Sequence, residues 1–163
     1  MDRIDFNNIQ EKEYLYNSCN LLYNRYFRLD DKEKLKSFER EIWMIGSELI
    51  DNIRKTRIKK KILTDTLLEE LLKIVRDYKF GRGRESFVML LHYFNNNPNV
   101  VSCLEELLDD ELLYAFAIDE LTKLKVFKYT DKVQNFLLKE KISWRRKAEK
   151  RYIEKSGDIS NRS

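Results

Sequence analysis

The sequence predicts an all-α protein built from stacked helical hairpins, and three observations lead there. Breakers are rare: 163 residues contain only 4 Gly and 1 Pro, whereas a β-rich chain needs many turns made of such residues. Apolar residues recur at three- and four-residue spacing over long stretches, the period of a helix with one buried face. A step from a small or apolar residue to a large apolar one a turn later recurs about every thirty residues in the C-terminal half. The steps are Phe87–Leu91, Ala117–Leu121 and Ala148–Tyr152. Arrays of this kind present surface rather than chemistry.

Residues 9–28 are expected to be helical, with Leu15, Cys19, Leu22 and Tyr26 on one stripe. Asp30 or Asp31 can cap the next helix. That helix should span 32–61, with Leu35, Phe38, Ile42, Ile45, Leu49 and Ile53 as its apolar face and Gly46 as a weak point. Its tail, Arg54, Lys55, Arg57, Lys59, Lys60 and Lys61, is positive. Cations suit a helix C-terminus, and the same run could form a binding patch.

Three hairpins are expected to follow. In the first, Thr64 or Asp65 starts a helix, Gly81 and Gly83 make the turn, and 85–94 forms the second helix. The run Asn95-Asn96-Asn97-Pro98-Asn99 is the strongest punctuation in the chain, and Pro98 suits a first helical position or the turn before it. The second hairpin is 100–108 with 110–124, and the third is 130–138 with 143–154. Ser156-Gly157 should end the last helix. The expected organisation is a helical pair or cap at 1–63, three hairpins at 64–156 and a disordered tail at 157–163.

The segment DELLYAFAIDELTKLK resembles the second helix of a HEAT repeat. Asp110, Leu113, Ala117 and Leu121 fill its acidic, apolar, small and apolar places. In SWRRKAEKRYIEK, Trp144, Ala148 and Tyr152 do the same, with Arg145 at a place where HEAT repeats often carry arginine. Arg84 takes that place in GRGRESFVMLL, and Tyr114 takes it in the middle hairpin. A small residue lets the two helices of a hairpin approach closely. Phe87 stands where the first hairpin should have alanine, so that hairpin should be looser. The resemblance covers about residues 64–156 and implies a right-handed α-α superhelix. It is far less informative about function.

No constellation for chemistry is evident. His92 is the one histidine and lacks a partner at ligand spacing. Cys19 and Cys103 lie far apart among apolar residues and read as buried thiols. GRGR at 81–84 could seat an anion on a helix N-terminus with Arg82 and Arg84, but a plain turn also explains it. No metal, cofactor or catalytic residue is expected, and the chain is not expected to be an enzyme.

Charge is uneven although the net value is only +4. Glu105, Glu106, Asp109, Asp110, Glu111, Asp119 and Glu120 lie in a stretch without Lys or Arg. They can cap helices, or form a recognition patch for a basic partner. Between 139 and 155 the sign reverses: Lys139, Lys141, Arg145, Arg146, Lys147, Lys150, Arg151 and Lys155 are interleaved with Trp144 and Tyr152. On the second helices, Phe116, Glu120, Lys123, Lys147 and Arg151 should face a shared groove.

The expected partner-binding set is therefore Glu105, Glu106, Asp109, Asp110, Phe116, Glu120, Lys123, Lys147 and Arg151. The function that fits is a non-catalytic protein-protein interaction module. A small HEAT-like chain of this kind resembles bacterial immunity proteins, inhibitors that bind and block a toxin domain. Nucleic-acid binding and an adaptor or assembly role for a larger enzyme are the alternatives. No stretch approaches the roughly 20 apolar residues of a membrane span, and the N-terminus lacks signal-peptide character. The expected setting is cytoplasmic, with no membrane partner.

Overall fold

The structure is a computed structural model that describes residues 5–9, 11–26, 32–55 and 59–160. The described residues are helical or in turns, with no strand among them. The fold is all-α, and among the described residues no helix is long and apolar enough to cross a membrane. The chain divides into two compact units, Met1–Phe94 and Asn95–Ser163. The division falls at the Asn-rich punctuation.

The N-terminal unit contains α1 (Tyr14–Tyr26), α2 (Lys32–Lys55), α3 (Lys59–Ile62), α4 (Asp65–Arg76) and the short α5 (Glu85–Val88). 3-10 turns run over Phe6–Asn8, Tyr78–Arg84 and Leu91–Phe94. The expected stripe on α2 is buried at Phe38, Ile42, Ile45, Leu49 and Ile53, and Leu35 is exposed instead. Burying each such side chain contributes about 1.5–3 kcal/mol. The caps expected at Asp30 or Asp31 lie outside the described residues. Of the basic tail, Arg54 and Lys55 form the last turn of α2, and Arg57 also lies outside them.

Gly46 is not a weak point. A Cβ there would lie 2.2 Å from Ser86 Oγ and 2.8 Å from Ser86 Cβ. The missing side chain lets α2 lie directly against α5. The close approach is thus one between α2 and α5, made by Gly46, and Phe87 beside it is fully buried. Thr64 caps α4 as expected, its hydroxyl accepting from Leu67 N at 3.2 Å.

Glu70, on the buried side of α4, closes the N-terminus of α1 from a distance. Its Oε1 accepts from Glu13 N at 2.9 Å and its Oε2 from Tyr16 N at 2.8 Å. These are free amides of the first helical turn, where negative charge is favoured.

The second helix expected at 85–94 is broken. Only Glu85–Val88 is α-helical, and the chain then tightens into i→i+3 bonds, Leu90 N to Phe87 O and Tyr93 N to Leu90 O. Phe87, Val88, Leu90 and Leu91 are all fully buried. A three-residue period places 87 with 90, and 88 with 91 and 94, so both rows reach the interior.

The C-terminal unit contains α6 (Pro98–Leu107), α7 (Tyr114–Lys123), α8 (Thr130–Lys139) and α9 (Ser143–Ser160). Asn97 caps α6, its side chain accepting from Asn99 N, and Pro98 opens the helix, two residues before the expected start at 100. α6 packs on α7, and α9 packs on both α7 and α8. Ala117 and Ala148 are buried on the second helices. Tyr152 is fully buried, accepts from Tyr129 N at 3.2 Å and donates to Val126 O at 2.9 Å. It thereby fastens the α7–α8 connection to α9. The last helix continues through Gly157 to Ser160 rather than stopping at Ser156-Gly157. An exposed glycine near a helix end costs only about 1 kcal/mol, too little to force termination.

Candidate functional site

The C-terminal unit holds a cleft of about 490 Å³ between the α6–α7 turn and the α8–α9 turn. Two acidic residues shape it. Asp110 is buried, and its Oδ1 accepts from Leu112 N at 2.9 Å and Leu113 N at 3.2 Å, which turns the chain into α7. Glu140 follows α8, and its Oε1 accepts from Lys141 N and Ile142 N at 2.7 Å each, leading into α9. Its Oε2 accepts from the Tyr114 hydroxyl. One carboxylate therefore joins the start of α7 to the start of α9.

The floor is apolar and aromatic. Leu108, Leu112, Tyr114 and Phe136 line it, and the rings of Tyr114 and Phe136 are 5.0 Å apart. The rim carries Asp109, Glu111 and Lys139. Arg145 closes one wall, 5.1 Å above the Tyr114 ring and 3.7 Å from Glu140. Its Nε is buried and has no hydrogen-bond partner among the described residues.

One turn along α9 lies Glu149, which is fully buried. Both its carboxyl oxygens lack a partner among the described residues. Burial and the nearby Glu140 charge push its pKa up to about 7, against the pull of Arg146 and Arg145. Arg146 is itself engaged, donating to Leu137 O at 3.0 Å and Glu140 O at 2.8 Å.

The expected site residues divide into groups. Asp109 and Asp110 line the cleft. Glu105 and Glu106 are exposed on α6. Glu105 lies 3.7 Å from Lys128, and Asp109 lies 2.7 Å from Lys132. Phe116 packs on Trp144 with ring centres 4.9 Å apart.

Glu120, expected to project into a groove, is fully buried. Its carboxylate pairs with Lys123 at 2.5 Å. Lys123 also meets Asp119 at 3.1 Å, and Arg151 meets the same Asp119 at 2.8 Å. This network ties α7 to α9 and occupies three of the residues expected to face a partner. Burial pulls the Lys123 pKa down, but the charges of Glu120 and Asp119 outweigh it and the pKa rises. Lys147 is exposed on α9.

The sequence reading missed Phe136, Glu140 and Glu149, and noticed Tyr114 only as a departure from the repeat pattern. Tyr114 meets Phe136 and Glu140, residues 22 and 26 positions away, in space. No local spacing encodes such meetings.

The basic turn at 81–84 is occupied internally. Arg84 is buried, donating to Gly81 O at 2.9 Å and Val75 O at 3.0 Å, and Arg82 pairs with Glu85 at 2.9 Å. His92 lies against Tyr93 with ring centres 4.1 Å apart. Among the described residues no group of His, Cys, Asp and Glu could hold a metal ion.

No protein-family model, curated protein or solved structure matches this chain. The chemistry of the cleft itself is therefore the basis for a functional reading.

Proposed function

We propose that this chain is a non-catalytic protein-binding module whose cleft takes a basic, partly apolar segment of another protein. The observation that carries this reading is the composition of the cleft. An aromatic and aliphatic floor lies beneath a rim where Asp109 and Glu111 outnumber Lys139. Such a floor buries an apolar anchor, while rim carboxylates steer a cationic segment and set its register.

Asp110, Glu140 and Arg145 are tied into the fold and keep the cleft in shape. Glu111 is exposed and makes no ion pair or side-chain hydrogen bond among the described residues. It is the rim carboxylate most available to a partner, since Asp109 meets Lys132.

In this reading α6 with α7, and α8 with α9, are HEAT-like hairpins. The packing of α7 on α9 and the buried Ala117 and Ala148 support it. The biological role that fits best is an immunity-type inhibitor that masks a toxin domain.

The test is titration of the purified chain with peptides that combine Lys or Arg with Leu or Phe, alongside acidic peptides of equal length. Basic peptides should bind, and Glu111→Lys should weaken them about tenfold without changing the melting temperature. Preference for the acidic peptides, or indifference to Glu111→Lys, ends the reading. A captured enzyme that loses turnover on binding identifies an inhibitor, and one that stays active identifies an adaptor.

A further inference from the structure

The α8–α9 corner bears a second surface, with chemistry opposite to that of the acidic rim. Leu138 is 82% exposed, Ile142 44% and Trp144 41%. All three fall within seven consecutive residues, from the end of α8 to the first turn of α9. Lys139, Lys141 and Lys147 are exposed around them and make no ion pair or side-chain hydrogen bond among the described residues. The two arginines of the same stretch turn inward. Arg146 holds the carbonyls of Leu137 and Glu140, and Arg145 holds the Tyr114 ring and the Glu140 carboxylate.

This division of cations carries information about the partner. Arginine forks make directional, bidentate contacts with discrete phosphates or carboxylates, whereas lysines are mobile point charges suited to a diffuse anionic layer. The corner offers only lysines to solvent. A leucine left 82% exposed has no walls around it, so this tip of the corner does not itself enclose a peptide. Its complement is a soft surface that closes around it. An indole beside aliphatic tips and lysines is the combination favoured at the boundary between lipid headgroups and acyl chains.

We propose that this corner docks reversibly on an anionic lipid surface. Leu138, Ile142 and Trp144 enter the headgroup boundary, and Lys139, Lys141 and Lys147 lie over the phosphates. Such contact needs no membrane-spanning helix, and it shares Lys139 with the rim of the cleft.

The chain has two tryptophans, so Trp43→Phe leaves Trp144 as sole reporter. This variant is mixed with phosphatidylcholine vesicles containing about 30% phosphatidylserine, and with pure phosphatidylcholine vesicles. The expected result is a blue shift and quenching by brominated lipid with the anionic vesicles only, lost in about 0.5 M salt. Cosedimentation of the otherwise unaltered chain needs no Trp43 change. There, Leu138→Ser with Ile142→Ser should reduce vesicle binding about tenfold at unchanged melting temperature. Vesicle binding that leaves Trp144 in water, or that survives the double serine change, overturns the proposal. So does binding to duplex DNA, RNA or polyglutamate in the absence of vesicle binding, which would assign the corner to a macromolecular polyanion.

Discussion

Glu149→Gln isolates the cost of one buried carboxylate. In the folded chain the group is fully buried without a hydrogen-bond partner among the described residues. Its pKa rises from 4.5 to about 7. The folded state therefore binds the proton more tightly than the unfolded state. Stability from this group is complete below pH 4.5, falls as pH climbs, and is lost once pH passes 7. At about 1.4 kcal/mol per pH unit, the full loss is roughly 3 kcal/mol. Glutamine is neutral throughout, so the variant escapes this loss. The other titrating groups of parent and variant are the same, and the difference between the two isolates position 149. Urea unfolding at pH 5, 6, 7 and 8, followed by Trp144 fluorescence in the Trp43→Phe background, measures that difference. The variant should be more stable than the parent by just under about 1 kcal/mol at pH 5, a gap that widens to about 3 kcal/mol at pH 8. A difference that does not change with pH would refute the reasoning. So would a variant that loses stability relative to the parent as pH rises, because Arg145 and Arg146 would then outweigh burial.

Four further outcomes are expected. Gly46→Ala should destabilise by about 1–3 kcal/mol in thermal melts despite the better helix propensity of alanine, because the added Cβ meets Ser86 Oγ at 2.2 Å. A stabilised variant would show that α2 and α5 can separate freely. Glu70→Ala should cost about 1–2 kcal/mol by removing both acceptors at the start of α1, and amide exchange at Glu13 and Tyr16 should rise. Ala117→Leu should cost about 1–3 kcal/mol by overpacking the fully buried position on α7, and a parental melting temperature would deny the close packing there. Cys19 should resist maleimide until the chain unfolds. Burial, reinforced by the Glu70 charge, holds its thiol far above its usual range, and rapid native labelling would contradict that.

Much of the fold was legible in the sequence, as particular residues show. The Thr64 cap and the break around Pro98 follow from local backbone chemistry, which acts over three or four residues. The stripe Phe38, Ile42, Ile45, Leu49 and Ile53 was readable because helical period and burial coincide along α2. The sequence could not separate an exposed acid from a capping or buried one. Glu105, Asp110 and Glu120 look alike in a run of carboxylates. In space one is exposed, one closes a turn and one is sealed beneath Lys123.

The chain alone determined helical content, most helix starts and the break at Asn95–Asn99, since these depend on propensities and caps within one turn. Tertiary structure alone decided that Gly46 makes a close crossing, that Glu70 caps a helix more than fifty residues away, that Glu140 joins α7 to α9, and that Glu149 is buried without a partner. Each of those depends on a distance between residues remote in sequence, and such distances are set only when packed helices fix where every side chain stands.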